Sequence, residues 1–154
     1  MNCFRMIRSG LTFECAHVFL NTMILSHLSY CTTVWSQTSQ TTLKPIERLY
    51  NRALKILDKK PIRFHHCYIL SKHKILNFVN FVNLRHIKLF FKCLTGLAPE
   101  PLCKFVNRLD TSRSTRAATC GDCKGPFCKT SFAQNVFSVK GDNLWNWPPT
   151  NIKT

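Results

Sequence analysis

The chain of 154 residues is poor in acidic side chains, with only seven Asp and Glu against 22 Lys and Arg. No two of the acids are adjacent or one residue apart, although nucleotidyl transfer needs carboxylates held together around two metal ions. A Gly-Lys-Ser/Thr phosphate loop is absent as well. We therefore predict that the chain is not an enzyme, and we expect no cofactor and no small-molecule substrate.

Long hydrophobic runs are also missing. The most apolar stretch, VFLNTMILSHLSY, is interrupted by Asn21, Ser26 and His27 and falls short of the roughly 18 apolar residues that a membrane-spanning helix needs. No apolar signal-peptide core follows MNCFRMIRSG, and nine cysteines without a regular spacing do not indicate a secreted disulfide framework. We expect an intracellular chain, nuclear or cytoplasmic, with no membrane span and with reduced, mostly buried thiols.

The positive charge is concentrated in the middle of the chain. Residues 44–92 contain twelve basic side chains but only Glu47 and Asp58 as acids. An exposed face that only keeps a protein in solution usually mixes both signs, so this imbalance favours a polyanionic partner. Nucleic acid bound through its phosphates is one interpretation, and a membrane surface, an acidic protein or a solvated face are the others. The candidate nucleic-acid-binding residues are Arg48, Arg52, Lys55, Lys59, Lys60, Arg63, Lys72 and Lys74.

Hydrophobic periodicity predicts a mainly α-helical fold. Apolar side chains recur at helical spacing over residues 14–35, and a stripe from Ile46 to Leu57 predicts a second helix with Thr42 as its cap and Pro45 in its first turn. That stripe is made of Ile46, Leu49, Tyr50, Ala53, Leu54 and Leu57. A short helix is expected within CYILSKHKIL, and a longer, mostly buried one over 78–96 with Gly96 at its end.

Beyond residue 107 the composition changes to Ser, Thr, Gly and charged residues, which predicts loop structure. FSVK (137–140) is the one segment there that suggests a short strand. We therefore predict a small helical bundle followed by an irregular basic tail with at most a short β-hairpin. The expected segments are a lead-in over 1–13, a helical domain over 14–107 and the tail over 108–154.

The cysteines and histidines do not define a metal site. CGDCKGPFC places Cys120, Cys123 and Cys128 close together, but structural zinc needs four ligands and neither Cys nor His follows this stretch. The Gly and Pro residues between them favour successive turns. The adjacent residues of His65-His66-Cys67 point in different directions, and the i, i+4 pair His27 and Cys31 is expected to pack in the core. We predict no metal.

Four stretches in order resemble a known family. They are SHLSYC-x3-W (26–35), LKP-x3-LYNRALKI (43–56), KCLTGLAPEPLC (92–103) and TSFAQNVFSVKGDNLWN (130–146). Together they are similar to the region that follows the catalytic palm in reverse transcriptases of fish-type LINE (non-LTR) retrotransposons. The resemblance begins near residue 14 and does not extend into residues 1–13.

The resemblance implies a thumb-like helical bundle that packs along a template–primer duplex, followed by a C-terminal extension. The family's aromatic-x-Asp-Asp motif lies upstream of this region and is absent here. The implied function is that of a non-catalytic fragment that binds the backbone of an RNA–DNA hybrid or another nucleic acid without sequence preference. Two alternatives are a zinc-binding or protein-interaction module that uses the tail cysteines, and a relic reading frame without a selected function.

Overall fold

A computed structural model describes residues 2–109 and 121–148, and this part of the chain is mainly helical, as predicted. The α-helices are α1 (Asn2–Ile7), α2 (Phe13–Phe19), α3 (Ser26–Ser29), α4 (Thr32–Trp35), α5 (Gln40–Leu57), α6 (His66–His73), α7 (Phe78–Leu94), α8 (Glu100–Cys103), α9 (Ser131–Gln134) and α10 (Phe137–Asn146). A 3-10 turn, Arg8–Gly10, follows α1, and a π-helical segment, Leu20–Leu25, joins α2 to α3. Within the described residues no helix is both long and apolar enough to cross a membrane.

The chain divides into two compact units. The first unit contains Met1–Thr32 and Ser39–Phe81, and the second contains Thr33–Thr38 and Val82–Thr154. The residues expected to form a lead-in belong to the first unit: α1 buries Phe4, and Arg8 is buried in the turn that follows. One division between the units lies within α7, between Phe81 and Val82, whereas the predicted segments were 1–13, 14–107 and 108–154.

Helix α5 forms the centre of the first unit. It buries Tyr50, Ala53, Leu54 and Leu57, and it contacts α2, the π-helical segment and α6. The Tyr50 hydroxyl donates a 2.6 Å hydrogen bond to the Leu76 carbonyl, and burial raises the Tyr50 pKa to about 12, so this side chain stays neutral. Each fully buried Leu here stabilises the unit by roughly 1.5–3 kcal/mol.

The start of α5 differs from the prediction. Ser39, not Thr42, is the cap: its hydroxyl accepts a hydrogen bond from the Thr42 amide at 3.4 Å. Helix α5 therefore begins at Gln40, and Pro45 lies inside it rather than in its first turn. The predicted apolar stripe was also too wide, because Leu49 is 50% exposed.

The prediction of one continuous helix over 14–35 is wrong. The chain passes through the π-helical segment, ends α3 at Ser29 and then turns at Cys31, whose φ is 47°. Hydroxyls contribute to these irregularities, because Thr22 bonds the Val18 carbonyl and Ser26 bonds the Thr22 carbonyl. His27 and Cys31 are exposed, so their predicted core packing is wrong as well.

The second unit has an aromatic core built on α7 and α10. The Phe90 ring is fully buried, and its centroid lies 6.1 Å from those of Phe137 and Trp145. The predicted strand at 137–140 is wrong, because these residues begin α10. A four-residue alternation fits a helix equally well, and Phe137, Gly141 and Trp145 share one helical face. Gly96, with φ of 72°, follows the end of α7 as predicted.

The tail contains an isolated β-bridge rather than a hairpin at 137–140. Arg108 and Cys123 pair in antiparallel orientation, with the Leu109 amide bonded to the Asp122 carbonyl at 3.1 Å and the Lys124 amide to the Asn107 carbonyl at 2.9 Å. Residues 107–109 and 122–124 are therefore held together on either side of the part of the tail that is not described.

Candidate nucleic-acid interface

Helix α5 carries a basic row opposite its buried face. Arg48 is exposed, and Arg52 and Lys55 are half-buried. They follow one another at intervals of four and three residues, so they lie on neighbouring turns and extend over about 10 Å. Exposed Lys44, which was not among the predicted residues, lies four residues before Arg48 and lengthens the row by one turn.

Two of the predicted lysines already have partners within the protein. The Lys55 ammonium donates a 2.8 Å hydrogen bond to the Ile62 carbonyl. Lys72 Nζ lies 2.8 Å from Asp58 Oδ1, and His73 Nε2 lies 3.0 Å from the same oxygen. These two cations are therefore less available to a phosphate than Arg48 and Arg52 are.

Asp58 has a pKa that reflects those partners. Its side chain is only 5% exposed, and burial alone would raise the carboxyl pKa. The hydrogen bonds and charges of Lys72 and His73 outweigh burial and hold the pKa below its ordinary value. Asp58 is therefore ionised at neutral pH and neutralises part of the predicted basic set.

Lys59 and Lys60 are positioned by the way α5 ends. Lys59 has φ of 53°, and its amide bonds the Ile56 carbonyl at 3.1 Å, while the Lys60 amide bonds the Lys55 carbonyl at 2.9 Å. These two bonds form a Schellman motif, in which glycine or asparagine usually occupies the left-handed position. Both lysine side chains are exposed, and the Lys60 ammonium lies 5.2 Å above the centroid of the Phe64 ring.

A cavity of about 470 Å³ opens at this end of α5. It brings Lys59 and Lys60 together with Arg5 and Arg8, two residues that sequence reasoning placed in the lead-in and did not select. Four cationic side chains therefore line one cavity, and none of its lining residues is acidic. The lining residues are Arg5, Arg8, Ser9, Ile56, Lys59, Lys60 and Pro61.

Arg8 is the most constrained of these four cations. It is 7% exposed, its Nε donates to the Leu57 carbonyl at 2.8 Å and its Nη1 donates to the Leu11 carbonyl at 2.8 Å. Leu57 is the last residue of α5, so the guanidinium satisfies a carbonyl that the helix leaves open. The negative end of the helix dipole opposes a bound anion by roughly 0.3–1 kcal/mol, which four nearby cations outweigh.

The other predicted residues do not line this cavity. Arg63 and Lys72 are exposed, and so is Lys74, which follows α6. Lys74 has φ of 52°, and α6 ends in a second Schellman motif, with the Lys74 amide bonded to the Ser71 carbonyl and the Ile75 amide to the Leu70 carbonyl. Residues 2–109 and 121–148 thus include two left-handed lysines in the same backbone setting, of which only Lys59 lines the cavity.

The described part of the cysteine-rich loop is held by α10. Asn146 Oδ1 accepts from the Cys123 amide at 2.9 Å, Asn146 Nδ2 donates to the Cys123 carbonyl at 3.0 Å and Trp145 Nε1 donates to the Gly121 carbonyl at 3.1 Å. Cys123 is buried, and Cys128 is half-buried. Cys120 lies outside the described residues.

Over residues 2–109 and 121–148, no three His, Cys, Asp or Glu side chains come together as ligands of one metal ion. The rings of His65 and His66 stack at 5.0 Å. The expectation of mostly buried thiols is wrong for this part of the chain, since Cys3, Cys15, Cys31 and Cys67 are exposed.

Comparison with protein-family models, with curated proteins and with solved structures found no match to this chain in any of the three sets.

Proposed function

We propose that this chain is a non-catalytic fragment derived from a LINE-type reverse transcriptase, and that its first unit binds nucleic-acid backbone without sequence preference. The observation that carries the proposal is the continuity between the basic row of α5 and the four-cation cavity at the end of the same helix. The choice of an RNA–DNA hybrid as the ligand rests on the sequence resemblance, because a polymerase thumb lies along such a duplex.

A solvated face is the competing explanation for the basic row. Such a face usually carries both signs, and Glu47 is the one carboxylate of α5. Arg48, Arg52, Lys59 and Lys60 make no ion pair with a described carboxylate, in contrast to Lys72. Cations without internal partners are available to phosphates, and contacts with phosphates confer affinity without reading the base sequence.

The proposal is tested with the variant Arg48→Gln, Arg52→Gln. Glutamine has a helix propensity close to that of arginine, and neither guanidinium makes a hydrogen bond within the described structure, so helicity should not change. Binding to an RNA–DNA hybrid is measured by fluorescence anisotropy over a series of salt concentrations. If each arginine neutralises one phosphate, the slope of log affinity against log salt becomes shallower by about 1.8.

The matched control is Lys88→Gln, Lys92→Gln, which removes two exposed charges from α7 in the second unit. This control lowers the net charge equally but should leave the salt slope close to that of the wild type. Equal slopes for both double variants would show that net charge alone matters, and a wild-type chain that does not bind the hybrid at low salt would refute the proposal.

A further inference from the structure

The cavity at the end of α5 has more positive charge than one phosphate of a nucleic-acid chain requires. An internal phosphodiester carries one negative charge and has two free oxygens. A terminal phosphomonoester carries a charge of about −1.5 to −2 at pH 7 and has three free oxygens. A concave site lined by four cationic side chains and no acid matches the second group better than the first.

Arg8 supplies the second observation. A guanidinium has five N–H donors, and the hydrogen bonds to the Leu57 and Leu11 carbonyls use two of them. Arg8 is 93% buried (7% exposed), lines the cavity and has no carboxylate partner among the described residues. A buried cation normally has an anionic or hydrogen-bonding partner. The donors of Arg8 that make no bond to a carbonyl therefore favour an anion in the cavity.

The size of the cavity also favours an end group. About 470 Å³ is small beside a duplex but large enough for a phosphate or pyrophosphate group. Ile56 and Pro61 provide apolar walls, and the Ser9 hydroxyl is a further polar group at the site. Lys59 and Lys60 line this cavity and follow directly after the end of α5, so a strand that follows the basic row would reach the cavity at its terminus.

We infer that this cavity binds a terminal phosphate group, and that the first unit therefore prefers nucleic-acid ends that carry a phosphate over ends that carry a hydroxyl. The nature of the molecule that bears the phosphate rests on the proposed function. The phosphate site itself does not rest on the proposed function. Its charge, its shape and the position of the Arg8 guanidinium do not depend on Arg48 and Arg52.

The first experiment tests the cavity alone with inorganic pyrophosphate, measured by isothermal titration calorimetry on the full chain. The wild type should show saturable binding of one equivalent. Lys59→Asn should weaken it at least about fivefold, because one of four cations is lost while asparagine keeps the left-handed backbone. Lys74→Asn makes the same change in the other Schellman motif and should leave the affinity unchanged. Arg8 is left intact because it also holds two backbone carbonyls.

The second experiment compares blunt RNA–DNA hybrids of one sequence, labelled internally, with a phosphate or a hydroxyl at the 5′ end or at the 3′ end. A phosphate at one of these ends should tighten wild-type binding by about tenfold, the effect of one additional charge-assisted contact. Arg5→Gln combined with Lys60→Gln should remove that preference. Lys74→Asn should keep it.

The outcomes separate this inference from the proposed function. Hybrids that bind equally well with phosphate and hydroxyl ends, together with no pyrophosphate binding, would overturn the terminal-phosphate site and leave backbone binding intact. Pyrophosphate binding that is lost in Lys59→Asn, with no binding of any hybrid, would confirm the phosphate site and refute the nucleic-acid function. Equal loss of pyrophosphate binding in Lys59→Asn and Lys74→Asn would also overturn the site, because net charge alone would then explain it.

Discussion

The two units bury their aspartates in opposite ways. In the first unit, Asp58 lies within 3.0 Å of both Lys72 and His73, which hold its pKa below the ordinary value. In the second unit, Asp142 is 4% exposed, its buried Oδ1 has no described hydrogen-bond partner and burial raises its pKa to about 6. Asp58 is thus paired with two cations through Oδ1, although its Oδ2, like Asp142 Oδ1, has no described hydrogen-bond partner, whereas no described cation pairs with Asp142.

The second unit repeats this pattern at His86. Its ring is fully buried, Nδ1 bonds the Val82 carbonyl at 3.0 Å and Nε2 has no described partner. Burial lowers the His86 pKa, so the ring is neutral at physiological pH. Burial in the second unit therefore favours the uncharged forms of both groups: His86 is neutral at physiological pH, and Asp142 holds its proton up to a pH of about 6.

The sequence provides a separate probe for each unit. All three tyrosines, at 30, 50 and 68, belong to the first unit, and all three tryptophans, at 35, 145 and 147, belong to the second. Selectively excited tryptophan fluorescence therefore reports on the second unit, and tyrosine fluorescence originates in the first.

The largest effect is expected from Gly141→Ala in the second unit. A Cβ at this position would lie 2.9 Å from Phe90 Cε2 and closer still to Cδ2, in a ring that is fully buried. Overpacking typically costs about 1–3 kcal/mol, and an overlap this close with a buried ring belongs at the upper end of that range, above the helix propensity of about 1 kcal/mol that alanine gains. We expect tryptophan-detected unfolding of the second unit at clearly lower denaturant, with the tyrosine signal of the first unit less affected.

Gly10→Ala is the matched control, because a Cβ there meets no atom within 4 Å and the position has no positive φ. Its free energy of unfolding should stay within about 0.5 kcal/mol of the wild type. Equal destabilisation by both substitutions would mean that the α7–α10 contact is not the close approach described above.

A smaller effect, with a defined pH dependence, is expected from Asp142→Asn. The folded-state pKa of Asp142 lies above the unfolded value, so the folded state retains a proton that the unfolded state has released. The stability contributed by protonated Asp142 is present at low pH and is lost as the pH rises from about 4 through 6. Because the asparagine side chain does not titrate, the unfolding free energy of the variant relative to that of the wild type should rise over that range by on the order of 1–2 kcal/mol.

The measurement is the difference in unfolding free energy between Asp142→Asn and the wild type from pH 4 to pH 8, detected by tryptophan fluorescence. His86 has a lowered pKa and destabilises the unit as the pH falls below 6.5, but it does so in both proteins and cancels in the difference. A difference that does not change with pH would show that the Asp142 carboxyl is not held in its protonated form by burial.

Apolar periodicity predicted much of the fold but few of its irregularities. The helices α5, α6 and α7 and the left-handed Gly96 agree with the sequence pattern, because long stripes and glycine caps are local signals. The turn at Cys31 and the helix over 137–146 do not, since apolar spacing does not reveal the positive φ of Cys31 and a four-residue alternation fits a strand and a helix equally well.

The candidate site was predictable only in part, for a similar reason. The basic row is visible at helical spacing, but the cavity depends on Arg5 and Arg8, which are about fifty residues away from Lys59 in the sequence. Neither arginine lies in a periodic segment, and no local pattern reveals that Arg8 bonds the last carbonyl of α5. Contacts between distant segments are set by packing, which a single sequence does not display. That the site binds phosphate remains a prediction.

The smallest effect is expected from Asp58→Asn in the first unit. The stability contributed by Asp58 changes with pH in the opposite direction to that contributed by Asp142. Because the folded-state pKa of Asp58 is lowered, its contribution to stability is present above the unfolded pKa near 3.8 and is lost as the pH falls below it. Lys72 is 46% exposed, so solvent screening limits the pair, and we expect a loss of about 1 kcal/mol at pH 7 that shrinks as the pH falls below 3.8. Glu47→Gln, on the same helix and without a described ion pair, should cost less than half as much. Tyrosine-detected unfolding provides the measurement, and a cost for Asp58→Asn that does not decrease as the pH falls below 3.8 would show that side-chain shape, rather than charge, stabilises this end of α5.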